Sequence, residues 1–217
     1  MNPGGASLDT VDMLARAGAC CLFIDCERTA VGIESVTGLT RSAHSHGMAV
    51  LLRSESAQPE KLVRYLDRGI DGIVVPHTET PEDLQAIGEL VSYATRGHRA
   101  QRVAIAQIES ARAVDQVEVL ARCNHVDGFL IGPNDLSHSL GHAGDTSRPE
   151  VAAAVNRAAA ELQRRGRAWG LPATAATARQ WVGRGAKFLY GTLDQIVTAG
   201  VQPMNAALAA NQPEGNS

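Results

Sequence analysis

The 217-residue sequence is poor in aromatic residues and has no long apolar run. Only 4% of the residues are aromatic. No apolar stretch approaches the roughly 20 residues that a membrane-spanning helix needs, so no membrane association is predicted. The formal net charge is −3, and no long block of lysine or arginine is present, which argues against nucleic acid as a partner.

Cysteine is also scarce. The four cysteines are Cys20, Cys21, Cys26 and Cys123, and they form no paired CxxC pattern. This usage favours reduced, mostly buried thiols over a zinc or redox site. The first residues lack a basic segment followed by a long apolar one, so no signal peptide is predicted. The sequence therefore predicts a cytoplasmic protein.

What the sequence does contain is a regular alternation of short apolar runs and amphipathic stretches. Seven runs are predicted strands: residues 20–25, 48–53, 71–75, 102–107, 126–131, 167–171 and 187–191. Prolines lie near the predicted helix starts and glycines follow the predicted helix ends. Repeated helix–glycine–strand units predict right-handed crossovers and a parallel sheet. Both a doubly wound sheet and a closed barrel fit, and the lack of a glycine-rich phosphate-binding motif weakens the nucleotide-binding version.

A (β/α)8 barrel needs eight strands, and the sequence offers seven. Residues 1–6 are too short and too rich in glycine and proline to predict a good strand. The seam of a barrel would then be open, or filled by another segment or chain. We predict a single barrel domain over residues 1–210 and a disordered tail over residues 211–217.

Two acidic residues stand just past consecutive apolar runs. Glu109 follows the strand predicted at 102–107, and Asp135 follows the one at 126–131. The ends of parallel strands gather at one rim of a barrel, so the two carboxylates are expected to meet there. Either residue alone would be interpreted as a helix cap, but together they predict a site for a divalent metal ion.

Other charged residues also stand at strand ends. Arg53 ends a predicted strand, and its planar guanidinium suits a carboxylate, which predicts an anion clamp. Asp25 and Glu27 are interpreted either as a helix N-cap with a surface ion pair or as support for a site. His77 is either an ordinary loop residue or a group that transfers a proton near neutral pH.

These residues resemble a known family. The most specific motifs are Gln107-Ile108-Glu109 and the run Gly132-Pro133-Asn134-Asp135-Leu136-Ser137. They resemble the HpcH/HpaI aldolases, class II metal-dependent pyruvate aldolases of the 2,4-dihydroxyhept-2-ene-1,7-dioate type, and the likeness runs from Leu8 to about Ala209. The resemblance implies a TIM-type (β/α)8 barrel, and the strand count of this sequence predicts that its first strand is missing or atypical.

The resemblance also implies roles for individual residues. A Mg²⁺, Mn²⁺ or Co²⁺ ion is expected at Glu109 and Asp135, where a 2-keto acid such as pyruvate would chelate it. Arg53 would stabilise the substrate and the developing enolate, while Gln107 and the backbone around Asn134 would line the same pocket. Members of the family are homo-oligomers, so a hexamer or trimer is expected, with the last helices exchanged between subunits.

The chain departs from the family pattern in three places. Arg28 stands where the family has its acid/base histidine, paired with the aspartate that matches Asp25, and a guanidinium does not give up its proton near neutral pH. The stretch after residues 96–99 is shorter than in relatives, and the first strand is missing. His77 or a metal-bound water is the predicted substitute for the proton transfer, and Arg28 is a candidate to hold a second carboxylate.

Three functions are compatible with this pattern. The first is a metal-dependent carbon–carbon lyase acting on a 2-keto acid. The second is a condensing enzyme that joins a keto acid to an acyl donor and makes a citrate-like product. The third is a degenerate, non-catalytic homologue that binds a keto acid or a partner. The retained metal ligands favour the first two, and the lost histidine, loop and strand favour the third.

Overall fold

Seven parallel strands form one sheet in the order in which they occur along the chain. The computed structural model describes residues 1–98 and 102–210. The strands are β1 Cys21–Asp25, β2 Ala49–Arg53, β3 Gly72–Val75, β4 Val103–Ile108, β5 Gly128–Ile131, β6 Ala168–Pro172 and β7 Phe188–Tyr190. All seven predicted strands are therefore confirmed, and so is their parallel pairing.

Helices connect the strands along the described residues. They are α1 Leu8–Arg16, α2 Ile33–Ser45, α3 Pro59–Leu66, α4 Pro81–Ala94, α5 Ala111–Asp115, α6 Val117–Leu120, α7 Pro133–Ser139, α8 Pro149–Arg164, α9 Ala175–Gly183 and α10 Leu193–Ala210. The amphipathic stretch over 111–122 forms two short helices, α5 and α6. The break at Gln116 lets both pieces bury apolar residues, Ala113 and Val114 from α5, Val117 and Leu120 from α6.

The core has two parts because both faces of the sheet are covered. The larger part packs the outer face of the strands against the helices. The smaller part lies among the strands themselves and is built from Phe23, Val74, Ile105 and Leu130. Tyr190, at the end of β7, stacks on Phe23 with ring centroids 4.5 Å apart. A filled interior of this kind is typical of a TIM-type barrel.

Residues 1–2 fill the seam between β7 and β1. The Phe23 N–H donates to the Met1 carbonyl at 2.8 Å, and the Asn2 N–H donates to the Gly191 carbonyl at 2.9 Å. Asn2 also forms a parallel bridge with Thr192. The segment forms no regular strand, as expected. Two residues are nevertheless enough to fill the seam, because the hydrogen bonds that hold them come from the backbone alone. The barrel lacks one strand, and the gap is filled by another segment of the chain.

Several other expectations can be compared with the structure. All four cysteines are free, but the prediction that they are mostly buried is wrong: only Cys26 is buried, Cys21 and Cys123 are half-buried, and Cys20 is exposed. Among residues 1–98 and 102–210, no helix combines the length and the apolar character needed to cross a bilayer. The tail predicted over 211–217, and part of the shortened loop at 99–101, lie outside the described residues.

Candidate functional site

The charged residues singled out from the sequence lie at one rim of the barrel. Asp25 and Arg53 are the last residues of β1 and β2 and stand opposite each other in the register. His77 lies two residues beyond β3, and Glu109 directly follows β4. This convergence follows from the parallel sheet, because all the strands end on the same side.

Arg53 and Asp25 form a buried, bidentate ion pair. The Arg53 Nε donates to Asp25 Oδ1 at 3.0 Å, and Nη2 donates to Oδ2 at 2.6 Å. Arg53 is only 6% exposed and Asp25 only 3%. Burial works to lower the pKa of Arg53, but the hydrogen bonds and charge of Asp25 outweigh it, and the pKa is raised. The predicted anion clamp is therefore charged and fixed in place by a carboxylate of the protein.

Asp25 has two further tasks. Its Oδ1 accepts the N–H groups of Glu27 and Arg28, at 3.2 Å each, and so orders the turn after β1. Asn2 Nδ2 donates to Asp25 Oδ2 at 3.3 Å. The ion pair with Arg53 is buried rather than on the surface, and Asp25 caps no helix, because the residue before α2 is Gly32. The contacts favour the interpretation of Asp25 as support for a site.

His77 lies between two glutamates. Its Nδ1 is 3.1 Å from Glu109 Oε1, and its Nε2 is 3.6 Å from Glu27 Oε1. Its backbone is left-handed, with φ of 57°, and its own N–H donates to Glu109 Oε1 at 2.7 Å. One possible ligand atom from each of the three residues lies within 4.8 Å of the other two. Side chain and backbone of His77 both face the same carboxylate, so this rare conformation serves the site.

Glu109 is a buried carboxylate with a perturbed pKa. Burial is the main cause that raises the pKa of Glu109 to about 7, against the N–H and charge of His77. Gln107 donates through Nε2 to Glu109 Oε2. Gln107 Oε1 and Glu27 Oε2 are buried, and neither has a hydrogen-bond partner among the described residues. Burial also raises the pKa of Glu27. The cluster offers acceptor oxygens in excess of donors, which suits a cation.

Gly132 allows the strand β5 to approach this cluster closely. A Cβ at Gly132 would lie 3.0 Å from Gln107 Nε2 and 3.0 Å from Glu109 Cβ. Any larger residue would displace both side chains. The glycine of the motif therefore leaves room for the side chains of Gln107 and Glu109, the second of which is the predicted metal ligand.

Asp135 and Asn134 lie on α7, which begins directly after Gly132. Arg28 donates through Nη2 to Asp135 Oδ1, and this hydrogen bond is the main cause that raises the pKa of Arg28. Asp135 is not a member of the group formed by Glu27, His77 and Glu109, although its charge raises the pKa of Glu109. Asn134, a predicted substrate ligand, is exposed on α7. Glu109 and Asp135 thus share a rim, but in this structure Asp135 faces a guanidinium.

A cavity of about 640 Å³ opens beside Arg53. It is lined by Asn2, Pro3, Gly4, Asp25, Arg28, Thr29, Arg53, Tyr190, Thr192, Leu193, Asp194 and Val197. Its size is in the range of small-molecule sites. Asn2 and Tyr190 were not among the residues predicted from the sequence, although the position of Tyr190 near the end of a predicted strand was a usable signal.

Comparisons with known proteins agree with this architecture. The family model described as HpcH/HpaI aldolase/citrate lyase matches residues 4–195. A hydroxypyruvate/pyruvate aldolase from Roseovarius nubinhibens is 28% identical over 90% of this chain and 86% of its own length. A 2-dehydro-3,6-dideoxy-6-sulfogluconate aldolase from Pseudomonas putida is 30% identical over 70% of this chain and 69% of its own.

A solved structure shows the same fold. The HpcH/HpaI aldolase/citrate lyase family protein from Burkholderia cenocepacia superimposes with a TM-score of 0.85 at 28% identity, covering 97% of this chain and 92% of that one. The family model spans most of the chain, including every strand and all the rim residues described above. The chain is therefore a member of the HpcH/HpaI aldolase/citrate lyase family.

Proposed function

We propose that this protein is a metal-dependent carbon–carbon lyase that acts on a 2-keto acid. The observation that carries the proposal is the buried Glu109 carboxylate, which contacts His77 and lies at the same rim as the buried guanidinium of Arg53. A carboxylate that can hold a dication and a cation that can hold a substrate anion are the two groups such chemistry needs. The relatives named above are aldolases, which supports the same reaction class.

The donor atoms at the rim fit a divalent ion. Glu109 belongs to both ligand sets that the residues allow: the pair with Asp135 predicted from the sequence, and the trio with Glu27 and His77. Glu27 is a further carboxylate in reach, and its Oε2 lies 3.0 Å from Arg53 Nε without making a hydrogen bond. An ion bound here, whether Mg²⁺, Mn²⁺ or Co²⁺, acts as a Lewis acid that stabilises negative charge on an enolate oxygen.

The side chains of the protein bind and orient the substrate. Asp25 holds the Nε and Nη2 donors of Arg53, which leaves Nη1 outside that pair and directed to a substrate carboxylate in our proposal. Because Arg53 is fixed by its partner, little side-chain entropy is lost when the anion binds. Gln107 and Asn134 remain the proposed further substrate ligands, with the buried Oε1 of Gln107 as an acceptor for the hydroxyl group of an aldol substrate.

Proton exchange is proposed to depend on His77, since Arg28 cannot serve as a base. With Mg²⁺, Mn²⁺ or Co²⁺ added, we expect the protein to exchange the methyl protons of pyruvate for deuterium, followed by NMR. The His77→Ala variant is expected to lose about 100-fold or more of this rate. His46→Ala is the matched control, because His46 is an exposed histidine that pairs with Asp12 at 2.8 Å, away from the rim. Absence of exchange with all three ions would favour the non-catalytic homologue.

A condensing enzyme is the second candidate. Arg28 lines the same cavity as Arg53 and is half exposed, so the wall presents two guanidinium groups. A citrate-like product carries several carboxylates, and a second cation would suit it. An assay with oxaloacetate and an acyl thioester distinguishes this reaction from cleavage.

We propose that the protein is a homo-oligomer in which α10 is covered by another copy, as expected for a hexamer or trimer. The apolar residues of α10 with described side chains are largely exposed: Ile196, Val197, Val201, Met204 and Leu208 are between 46% and 69% exposed. Apolar area of this extent is typical of an interface. Light scattering is expected to give a multiple of 22.9 kDa, and Val201→Glu should reduce the mass. A monomer at micromolar concentration would contradict the proposal.

We also propose that the protein acts in the cytoplasm. The support is chemical: all four cysteines are free, and Cys20 is exposed. Exposed thiols persist in a reducing compartment and are oxidised outside it.

A further inference from the structure

We infer that the hydroxyl group of Tyr190 donates a hydrogen bond to the substrate anion that Arg53 binds. The inference rests on the proposed function, because it requires a keto acid at Arg53, and it adds one residue to that site. Tyr190 lies outside the motifs on which the family resemblance depends. The support comes from its position, its hydroxyl group and the charges that surround it.

Tyr190 lies at the same rim as Arg53. It is the last residue of β7, and the parallel strands all end on this side of the sheet. Its ring stacks on that of Phe23 with an interplanar angle of 4°. Phe23 precedes Asp25 by two residues in β1, so both side chains point into the barrel. The stacking therefore fixes the Tyr190 ring against the strand that ends in the partner of Arg53.

The hydroxyl group is the part of Tyr190 that packing does not explain. Phe188 lies on the same inward face of β7, two residues deeper, and has no hydroxyl group. Stacking on Phe23 needs only the ring, so phenylalanine would serve equally at position 190. Within residues 1–98 and 102–210, the Tyr190 hydroxyl makes no hydrogen bond. The hydroxyl of a largely buried tyrosine usually has a partner, so a partner from the cavity is expected.

Tyr190 lines the cavity that opens beside Arg53. Several polar side chains of the same wall already donate within the protein, to Asp25 or Asp135: Asn2, Arg28 and Thr29. Their hydrogen bonds hold the wall together and are not available to a ligand without rearrangement. Tyr190 thus offers the cavity a donor that no acceptor of the described residues uses.

Tyr190 also lies within electrostatic reach of the charged groups at the rim. Charges that act on its hydroxyl come from Arg53, Asp25, Glu109 and Glu27. Burial is the main cause that raises the pKa of Tyr190, and the charge of Arg53 acts in the opposite direction. The hydroxyl therefore keeps its proton at neutral pH and serves as a donor. A carboxylate has about four lone-pair sites, so Arg53 Nη1 and the Tyr190 hydroxyl can bind it together.

Calorimetric titration with pyruvate, on protein loaded with Mg²⁺, Mn²⁺ or Co²⁺, tests this role without an assay of turnover. Tyr190→Phe keeps the ring and its stacking on Phe23 but removes the donor. We expect this variant to bind pyruvate about tenfold more weakly, as is typical for the loss of a hydrogen bond to a charged group. The melting temperature of the free protein should not fall. Tyr93→Phe is the matched control, because Tyr93 is 75% exposed on α4.

Kinetics of pyruvate proton exchange separate binding from chemistry. In Tyr190→Phe we expect KM to rise together with the dissociation constant, while kcat falls by less than about threefold. An unchanged affinity for pyruvate would overturn the inference. A loss confined to kcat would overturn it too, because the hydroxyl would then act in proton transfer rather than in binding.

NMR of the wild-type chain gives an answer that does not depend on the folding of Tyr190→Phe. The chain has three tyrosines, so labelling the ring carbon that bears the hydroxyl with ¹³C gives three signals. Tyr65→Phe and Tyr93→Phe assign two of them, and the third belongs to Tyr190. Pyruvate is expected to shift the Tyr190 signal and to leave that of Tyr93 in place. A Tyr190 signal that does not move would contradict the inference.

The same measurements distinguish this inference from the proposed function. A protein that binds pyruvate and exchanges its protons, with Tyr190→Phe unaffected, keeps the function and loses the inference. A protein that binds pyruvate through Tyr190 without exchanging its protons keeps the inference and loses the function. Failure of the wild-type chain to bind pyruvate with any of the three ions overturns both.

Discussion

Changing Glu109 to glutamine is expected to stabilise the protein at pH 8 while removing its ion-dependent activity. Burial raises the pKa of Glu109 from 4.5 to about 7, so the folded state holds a proton that the unfolded state has released between these values. Stability therefore falls as the pH rises through this window, and the loss is complete above about pH 7. A shift of this size corresponds to a loss on the order of 3 kcal/mol in the absence of metal.

Glutamine removes this cost because it is neutral at every pH and has nearly the same shape. It keeps an oxygen to accept the His77 N–H, which Glu109 accepts at 2.7 Å. Gln107 Nε2 now donates to Glu109 Oε2, so the Gln107 amide has to turn over before its Oε1 can accept from the new amide. The variant thus replaces a desolvated carboxylate by a neutral amide and gives up the metal ligand.

The measurement is the melting temperature without metal at pH 5 and pH 8. We expect Glu109→Gln to raise it by several degrees at pH 8, since about 1 kcal/mol shifts a chain of this length by 2–4 °C, and to change it little at pH 5. Glu89→Gln is the control, because Glu89 is an exposed residue of α4 bonded to Gln85. Added Co²⁺ should raise the melting temperature of the wild-type chain at pH 8 and leave the variant unchanged. A change in melting temperature of equal size at pH 5 and pH 8 would show that the pKa of Glu109 is not the cause.

The second large effect is expected at Arg53. Replacing it by methionine leaves Asp25 buried and charged without its bidentate partner. Breaking a buried pair on one side typically costs about 3–5 kcal/mol, because the remaining charge stays desolvated. The variant is also expected to lose keto-acid binding, since the proposed anion clamp is gone.

Urea unfolding at pH 7 measures the loss in the free energy of unfolding of the Arg53→Met variant. The double variant Asp25→Asn, Arg53→Met should recover most of the stability, because it removes both charges, but none of the substrate binding. Arg157→Met is the control: Arg157 pairs with Asp115 at 3.0 Å on the surface, and such pairs contribute less than about 1 kcal/mol. A loss of less than 1 kcal/mol for Arg53→Met would show that the pair is not a determinant of stability.

The sheet and the location of the site were predictable from the sequence. Most strands are short apolar runs that are largely buried, and in β3 and β5 every residue is buried. Repeated helix–glycine–strand units then require parallel pairing, and parallel pairing brings Asp25, Arg53 and Glu109 to one rim. These steps use only local pattern and general topology, so they need no knowledge of individual contacts.

The partners of individual side chains were not predictable in this way. Arg28 and Asp135 are 107 residues apart, and nothing local to either motif indicates that they meet. The role of residues 1–2 was hidden because it depends on backbone groups, which have no signature in the side-chain sequence. Glu27 was considered only as a supporting residue, since its contact with His77 depends on a left-handed backbone at a histidine.

Asn2 takes part both in closing the barrel and in positioning Arg53, the proposed anion-binding residue. Asn2 donates its backbone N–H across the gap to the last strand, while its side chain contacts the carboxylate that steadies Arg53. Loss of the Asn2 contacts would therefore also increase the mobility of the Arg53 guanidinium, so an ordered pocket requires a closed barrel. Local opening of the barrel and loss of ligand affinity are expected to be one event rather than two.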